Sequence, residues 1–365
     1  MEGGVMMARA YRRYANLAPV EETHAVGGAP VVLRSDEVSR HAVRLVVIDR
    51  KVDSVSITKF ANLASLLRAG DLVVVNDAAT LPASLPGRTA RGEPFELRLS
   101  APVDGNRLYG VLLGEGDHRT RTEHRAAPPR LAIGDVVTLG SLHARVITSA
   151  GRRVELIASE SGDALWHALY ASGKPVQYAH RPELMPLYAV QTAYASRPWA
   201  AEMPSAGRPL TWDVLLGLRR AGVNVATLTH AAGLSSTGDD ALDRALPWPE
   251  RYEIPRRTIE LVAITKARGG RVIAIGTTVV RALEAAAQPT IGSFSAGSGV
   301  ATIRLDADYK LRVIDGLVSG LHVPGESHFD LLSAFAPRER LARAIDLAAQ
   351  HGLSSHELGD ACLIV

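Results

Sequence analysis

The stretch from Arg271 to Glu284, Arg-Val-Ile-Ala-Ile-Gly-Thr-Thr-Val-Val-Arg-Ala-Leu-Glu, restricts the possible folds more than any other part of the chain. Val272 to Ile275 are β-branched or small and apolar without interruption, the composition of a strand buried on both faces of a parallel sheet. Beyond Gly-Thr-Thr, Val280, Leu283 and Ala287 recur at helical intervals, so the segment predicts strand, tight turn and helix. The first amides of a helix have no intrahelical partners, so Gly276, Thr277 and Thr278 can offer N–H and hydroxyl groups to a carboxylate or phosphate. Arg281, one turn on, would add positive charge on the same side. The competing reading is an N-cap by Thr277 or Thr278 with a solvated Arg281.

With 365 residues, 47% of them hydrophobic, the chain is long enough for two domains. Residues 1–33 mix Gly, Ala, Pro and charge without a period and predict a flexible N-terminal arm. Val43 to Asp49 reads as a strand and Phe60 to Leu67 as a short helix. Gly70 to Asp77 reads as a fully buried strand ending in Asn76-Asp77, at the edge where α/β sheets hold ligands, or in an ordinary turn. From residue 83 to 159 the texture changes to short alternating segments separated by Gly, Pro and Asp, such as Phe95–Leu99, Leu108–Leu113 and Arg153–Ile157. They predict a small antiparallel β-barrel domain inserted into an α/β main domain of residues 34–82 and 160–365. His118, His124, Arg119, Arg121 and Arg125 share its longest loop, a solvated excursion that a polyanion could also meet.

Helical spacing returns at Gly162. Thr211 to Ala221 predicts an amphipathic helix, capped by Thr211 and turning Leu215, Leu216 and Leu218 inward, followed by a strand from Val223 to Leu228 that leads to His230. A helix from Arg257 to Arg268 precedes the Val272–Ile275 strand, and this alternation of helix and strand implies a largely parallel sheet. The net charge of +3 comes from intermixed acidic and basic residues and singles out no partner. One cysteine, Cys362, excludes an internal disulfide and any multi-cysteine metal centre, and its apolar setting predicts a buried thiol rather than a nucleophile. No apolar run reaches membrane length and the first residues lack the apolar core of a signal peptide, so a cytoplasmic protein with no membrane partner is expected.

Several polar clusters end apolar strands or open helices: Asn76-Asp77, Met203-Pro-Ser-Ala-Gly207, Thr229-His230, Gly276-Thr-Thr278 and His322. In a parallel sheet the strand C-termini share one edge, so such groups can converge although far apart in sequence.

These residues also carry a resemblance. Val43-Arg-Leu-Val-Val-Ile-Asp-Arg50, Gly70-Asp-Leu-Val-Val-Val-Asn-Asp77, Val190-Gln-Thr-Ala-Tyr-Ala195, Pro204-Ser-Ala-Gly207, Lys266 to Arg281, Leu321-His-Val-Pro324 and Gly359-Asp-Ala-Cys-Leu-Ile364 occur in this order. Together they resemble the S-adenosylmethionine:tRNA ribosyltransferase-isomerases of queuosine biosynthesis. The resemblance implies an α/β main domain with an inserted β-barrel domain. It also implies transfer and isomerisation of the ribosyl group of S-adenosylmethionine onto a 7-aminomethyl-7-deazaguanine base in tRNA, with adenine and methionine leaving.

In that chemistry the cosubstrate is a sugar donor, and its sulfonium acidifies the adjacent ribose C5′ hydrogen, which a positioned imidazole or carboxylate can remove. The catalytic candidates are therefore His322 as base, His230 as the other acid or base, and Asp77 as an orienting carboxylate; as lone residues, the histidines read equally as hydrogen-bonded strand ends. The cosubstrate-binding candidates are Gly276, Thr277, Thr278 and Arg281 at the methionine carboxylate, and Ser205, Ala206 and Gly207 at adenosine. No metal is expected.

The chain departs from the family pattern in places. Asn76-Asp-Ala-Ala79 and Pro82-Ala-Ser84 stand where the family carries arginines, and Ala206-Gly-Arg-Pro-Leu-Thr211 lacks the family's histidine. Retained donor motifs with altered acceptor motifs leave a second possibility, a relative that uses S-adenosylmethionine with a small-molecule acceptor or cleaves it without tRNA. A third is a non-catalytic binding protein.

Overall fold

The computed structural model describes residues 39–179, 181–288, 294–324, 326–354 and 358–365. The expected arm at 1–33 lies outside the described residues. The chain forms two compact units, one of the stretch up to Asn76 with Ser205–Leu228 and Arg251–Val365, the other of Asp77–Pro204 with Thr229–Glu250.

In chain order the strands are β1 (Arg44–Asp49), β2 (Ser54–Lys59), β3 (Leu72–Asn76), β4 (Ala79–Thr80), β5 (Ser84–Arg88), β6 (Pro94–Leu99), β7 (Arg107–Leu113), β8 (Val136–Leu139), β9 (Leu142–Ala150) and β10 (Arg153–Ala158). There follow β11 (Pro198–Ala200), β12 (Asn224–His230), β13 (Glu250–Ile254), β14 (Val272–Ile275), β15 (Gly297–Ala301), β16 (Gly316–Gly320) and β17 (Ala361–Ile364).

The first unit is built on a nine-stranded sheet in the order β15-β13-β12-β3-β14-β16-β17-β1-β2. Its centre is parallel, as the apolar runs predict: β3 pairs parallel with both β12 and β14, and β14 with β16. The sheet is nevertheless mixed, because β17 runs antiparallel to β16 and β2 antiparallel to β1. Every residue of β3 and of β14 is buried. Each buried Val, Leu or Ile there contributes about 1.5–3 kcal/mol relative to exposure. The helices Arg256–Ala267, Thr277–Ala286, Ser327–Leu332 and Arg338–Gln350 add Val262, Val279, Leu283, Phe329 and Leu341 to one core with these strands.

Registers fix the edge that matters. Val75 of β3 lies opposite Ile275 of β14, and Ile275 opposite Val318 of β16, so these three strands end side by side. The Trp212–Arg220 helix corrects two expectations. Thr211 occupies the N-cap position, yet its hydroxyl makes no capping bond, and Val214 with Leu218 form the inward face while Leu216 is exposed.

The second unit contains a closed antiparallel barrel in the order β10-β7-β6-β5-β8-β9. The alternation read from the sequence is borne out by β9, where Leu142, Ala144 and Val146 are buried between exposed His143 and Arg145. The Gly162–Ser172 helix lays Leu165 and Leu169 onto the same apolar core. A charged group is enclosed as well: the Glu96 carboxylate accepts from Arg98 Nε at 2.7 Å, Arg125 Nη1 at 2.6 Å and the Ser84 hydroxyl at 2.8 Å. Burial pushes this carboxyl up, but the charges and hydrogen bonds of Arg98 and Arg125 outweigh it and hold the group below the usual carboxylate range. Arg125 was expected in a solvated loop; it is buried because it neutralises Glu96 and caps the Gly114 carbonyl at 2.6 Å.

Candidate functional site

The Gly-Thr-Thr turn has the predicted form. Gly276 sits between β14 and the Thr277–Ala286 helix with φ of 93°, a left-handed conformation that a side chain would strain. Gly276 is itself the N-cap and no side chain caps the helix, so the competing reading of a threonine cap does not apply. The Gly276 amide donates to the Val318 carbonyl at 2.7 Å, which ties the turn to β16. The Thr278 hydroxyl accepts from Asn76 Nδ2 at 3.3 Å, tying it to the end of β3.

Ser205–Gly207 forms a single 3-10 turn, and a Cβ placed on Gly276 would lie 3.6 Å from the Ala206 methyl. The first unit therefore brings Asn76, Ser205–Gly207 and Gly276–Thr278 into one neighbourhood, as the shared strand edge required. Arg281 is buried at 4% exposure, its Nη2 donating to the Ala301 carbonyl at 2.9 Å and its Nε to the Ile303 carbonyl at 3.3 Å.

His322 follows β16 directly. Its Nδ1 stands 3.1 Å from Glu326 Oε2, and its ring stacks on His328 with centroids 4.6 Å apart and 28° between planes. Burial lowers the His328 pKa to about 3, helped by the neighbouring His322 and by the positive charge of Arg281. Cys362 on β17 is the buried thiol expected, pushed up to about 12 by burial, with Sγ toward the Gly320 carbonyl at 3.5 Å. A thiol so rarely ionised is no nucleophile.

The other two candidates, Asp77 and His230, belong to the second unit. Asp77 Oδ1 accepts from the Thr229 hydroxyl at 2.6 Å, and Arg197 Nη2 donates to that hydroxyl at 2.7 Å. Arg197 also lies over the Trp199 ring at 4.7 Å. His230 has no exposed surface, with Nε2 3.6 Å from Glu250 Oε2, beyond hydrogen-bond reach. Glu250 Oε1 accepts from the Gly233 amide at 2.6 Å. Among the described residues no group of three or more His, Cys, Asp or Glu side chains is placed to hold a metal ion, and no helix is long and apolar enough to cross a membrane.

Sequence reasoning missed Glu326, His328 and Arg197. The spacing His-x3-Glu-x-His from His322 was visible and kept both partners within six residues of the imidazole. Arg197 carried no comparable signal, since only the fold sets it beside Thr229.

The His328 environment sets an acid sensitivity. An unfolded histidine titrates near 6.5, so between that pH and about 3 the unfolded chain binds the extra proton, and stability falls as pH drops through this window. His328→Phe should flatten the loss by up to about 1.4 kcal/mol per pH unit. Urea unfolding of both proteins at pH 7, 5.5 and 4.5 measures it; parallel slopes would contradict the assignment.

A sheet with a parallel centre and polar turns collected where those strands end is the layout of an α/β enzyme. Residues 30–364 match the family model described as queuosine biosynthesis protein. The chain is 33% identical over 332 residues to an S-adenosylmethionine:tRNA ribosyltransferase-isomerase of Trichlorobacter lovleyi, covering 89% of this chain and 94% of that one. It is 34% identical over 348 residues to the corresponding protein of Sorangium cellulosum, at 89% and 92% coverage. A solved S-adenosylmethionine tRNA ribosyltransferase from Thermotoga maritima is 21% identical with a TM-score of 0.48, at 90% and 94% coverage. The chain belongs to the queuosine-biosynthesis family of S-adenosylmethionine:tRNA ribosyltransferase-isomerases.

Proposed function

We propose that this protein transfers and isomerises the ribosyl group of S-adenosylmethionine onto a 7-aminomethyl-7-deazaguanine base in tRNA, in the cytoplasm. The observation that carries the reading is the joining of Gly276–Thr278, Ser205–Gly207 and Asn76 at the ends of β3 and β14, with His322 two residues past the end of the adjacent strand β16. In this reading the methionine carboxylate meets the uncapped first turn of the Thr277–Ala286 helix, where backbone amides and the helix dipole favour an anion. Arg281 adds positive charge on that side. Ser205–Gly207, with no side chain larger than a hydroxymethyl, lets adenosine approach the backbone.

His322 removes the C5′ hydrogen that the sulfonium acidifies, leaving the electron pair on that carbon. Asp77, held by Thr229 and Arg197, is the orienting carboxylate, and His230 is the second acid–base group.

The test is to incubate the protein with S-adenosylmethionine, with and without tRNA bearing the aminomethyl-deazaguanine, and to follow adenine and methionine. Release only with tRNA is the expected result. Release without it supports the small-molecule or cleavage alternative, which Ala79 and Ser84 favour by removing two cationic contacts to phosphate. No release in either arm overturns the reading.

A further inference from the structure

Beyond β16 the chain reads Leu-His-Val-Pro-Gly-Glu-Ser-His, which sets a carboxylate four residues and an imidazole six residues after His322. An ionised carboxylate only accepts hydrogen bonds, so the Nδ1 atom 3.1 Å from Glu326 Oε2 carries the hydrogen and Nε2 keeps its lone pair. Glu326 Oε2 is also within 3.3 Å of the Val323 amide, which fixes the carboxylate to the same turn. On one face the ring is backed by His328. The latter stays uncharged across the neutral range and so adds no repulsion when His322 becomes positive. Residue 320 is a glycine whose Cβ, were there one, would lie 3.6 Å from His322 Nε2, so no side chain at that position leans on the lone pair.

We propose that Glu326 is the positioning residue for His322: it holds the Nδ1–H tautomer, aims Nε2 at the hydrogen to be removed, and stabilises the imidazolium that results. The assignment rests on the reading of His322 as the base. In the step, the Nε2 lone pair forms the new N–H bond while the C5′–H bond breaks, and its electron pair stays on C5′ beside the sulfonium. The ring gains one positive charge and keeps its Nδ1–H on the Glu326 carboxylate. Nothing further is consumed.

Glu326→Ala, His322→Ala and the double variant separate the possibilities. The Glu326 side chain is 36% exposed, so its removal leaves the core alone. Glu326→Ala is expected to lower kcat for adenine release about 10–100-fold, with the KM for S-adenosylmethionine within about twofold of the parent. In the His322→Ala background the same change should have no further effect, because Glu326 acts only through that imidazole. Glu326→Asp should recover part of the rate. Nitrogen-15 shifts of the His322 ring should report Nδ1–H in the parent protein and a shift toward the other tautomer in Glu326→Ala.

A fully active Glu326→Ala beside an inactive His322→Ala overturns the positioning role and leaves the base standing. Additive losses in the double variant, or an unchanged tautomer, also overturn it. An active His322→Ala removes the base and this proposal together.

Discussion

His322→Ala is expected to slow adenine and methionine release from S-adenosylmethionine about 10²–10⁴-fold, the range a positioned general base supplies, without lowering the melting temperature appreciably. The rate loss follows from the site: His322 lies just past the end of β16, the strand whose Val318 carbonyl holds the Gly-Thr-Thr turn. The stability is preserved because the side chain is 21% exposed and its Nδ1 hydrogen bond goes to a part-exposed carboxylate, an interaction worth little to folding. Stopped-flow or chromatographic release assays at saturating tRNA, paired with calorimetry, give both numbers. A variant that keeps a tenth or more of the parent rate would show that another group takes the proton.

Glu284→Ala has the largest expected effect on stability. Glu284 has no exposed surface and lies near the end of the helix that Gly276 opens. Its carboxylate accepts from three successive backbone amides, Arg312 at 3.0 Å, Val313 at 2.9 Å and Ile314 at 3.0 Å, and from the Tyr309 hydroxyl at 3.3 Å. Alanine would leave these donors buried without a partner, at roughly 3–5 kcal/mol in total, since each unsatisfied group costs about 1–3 kcal/mol and hydrogen bonds to charge are the stronger ones. For a unit of this size that is a fall in Tm of about 10 °C. Glu284→Gln keeps the oxygen that serves all three amides and should lose less than half as much. If the alanine variant unfolds within about 0.5 kcal/mol of the parent, the carboxylate does not anchor the 312–314 segment.

What could be read in advance was whatever depends on local periodicity. The unbroken apolar runs at Leu72–Asn76 and Val272–Ile275 had to be buried on both faces, and they are the centre of the sheet. The alternating segments of 83–159 had to close on one apolar face, and they form the barrel. The Gly-Thr-Thr turn was legible as the break between an apolar strand run and a helical one, and there Gly276 takes a φ of 93°.

One misreading has a physical cause. The sequence put Arg125 in a solvated loop, and Glu96 and Glu284, which it did not single out, are charged positions of the same kind. They are interior because partners 11 to 30 residues away supply the compensating hydrogen bonds. Arg281 is buried as well, against the carbonyls of Ala301 and Ile303, which removes only the competing reading of a solvated side chain.

By itself the sequence determined the kinds of element, the inserted barrel and the family, because hydrophobic spacing and glycine placement act over a few residues and survive in any context. Only the tertiary structure decided that the β16–β17 and β1–β2 pairs run antiparallel, that Asn76 and Ala206 meet the Gly-Thr-Thr turn, and that His322 stands between a carboxylate and a neutral imidazole. Those facts depend on strand order and register, which bring together groups up to about two hundred residues apart, and no short-range pattern encodes the distance between them.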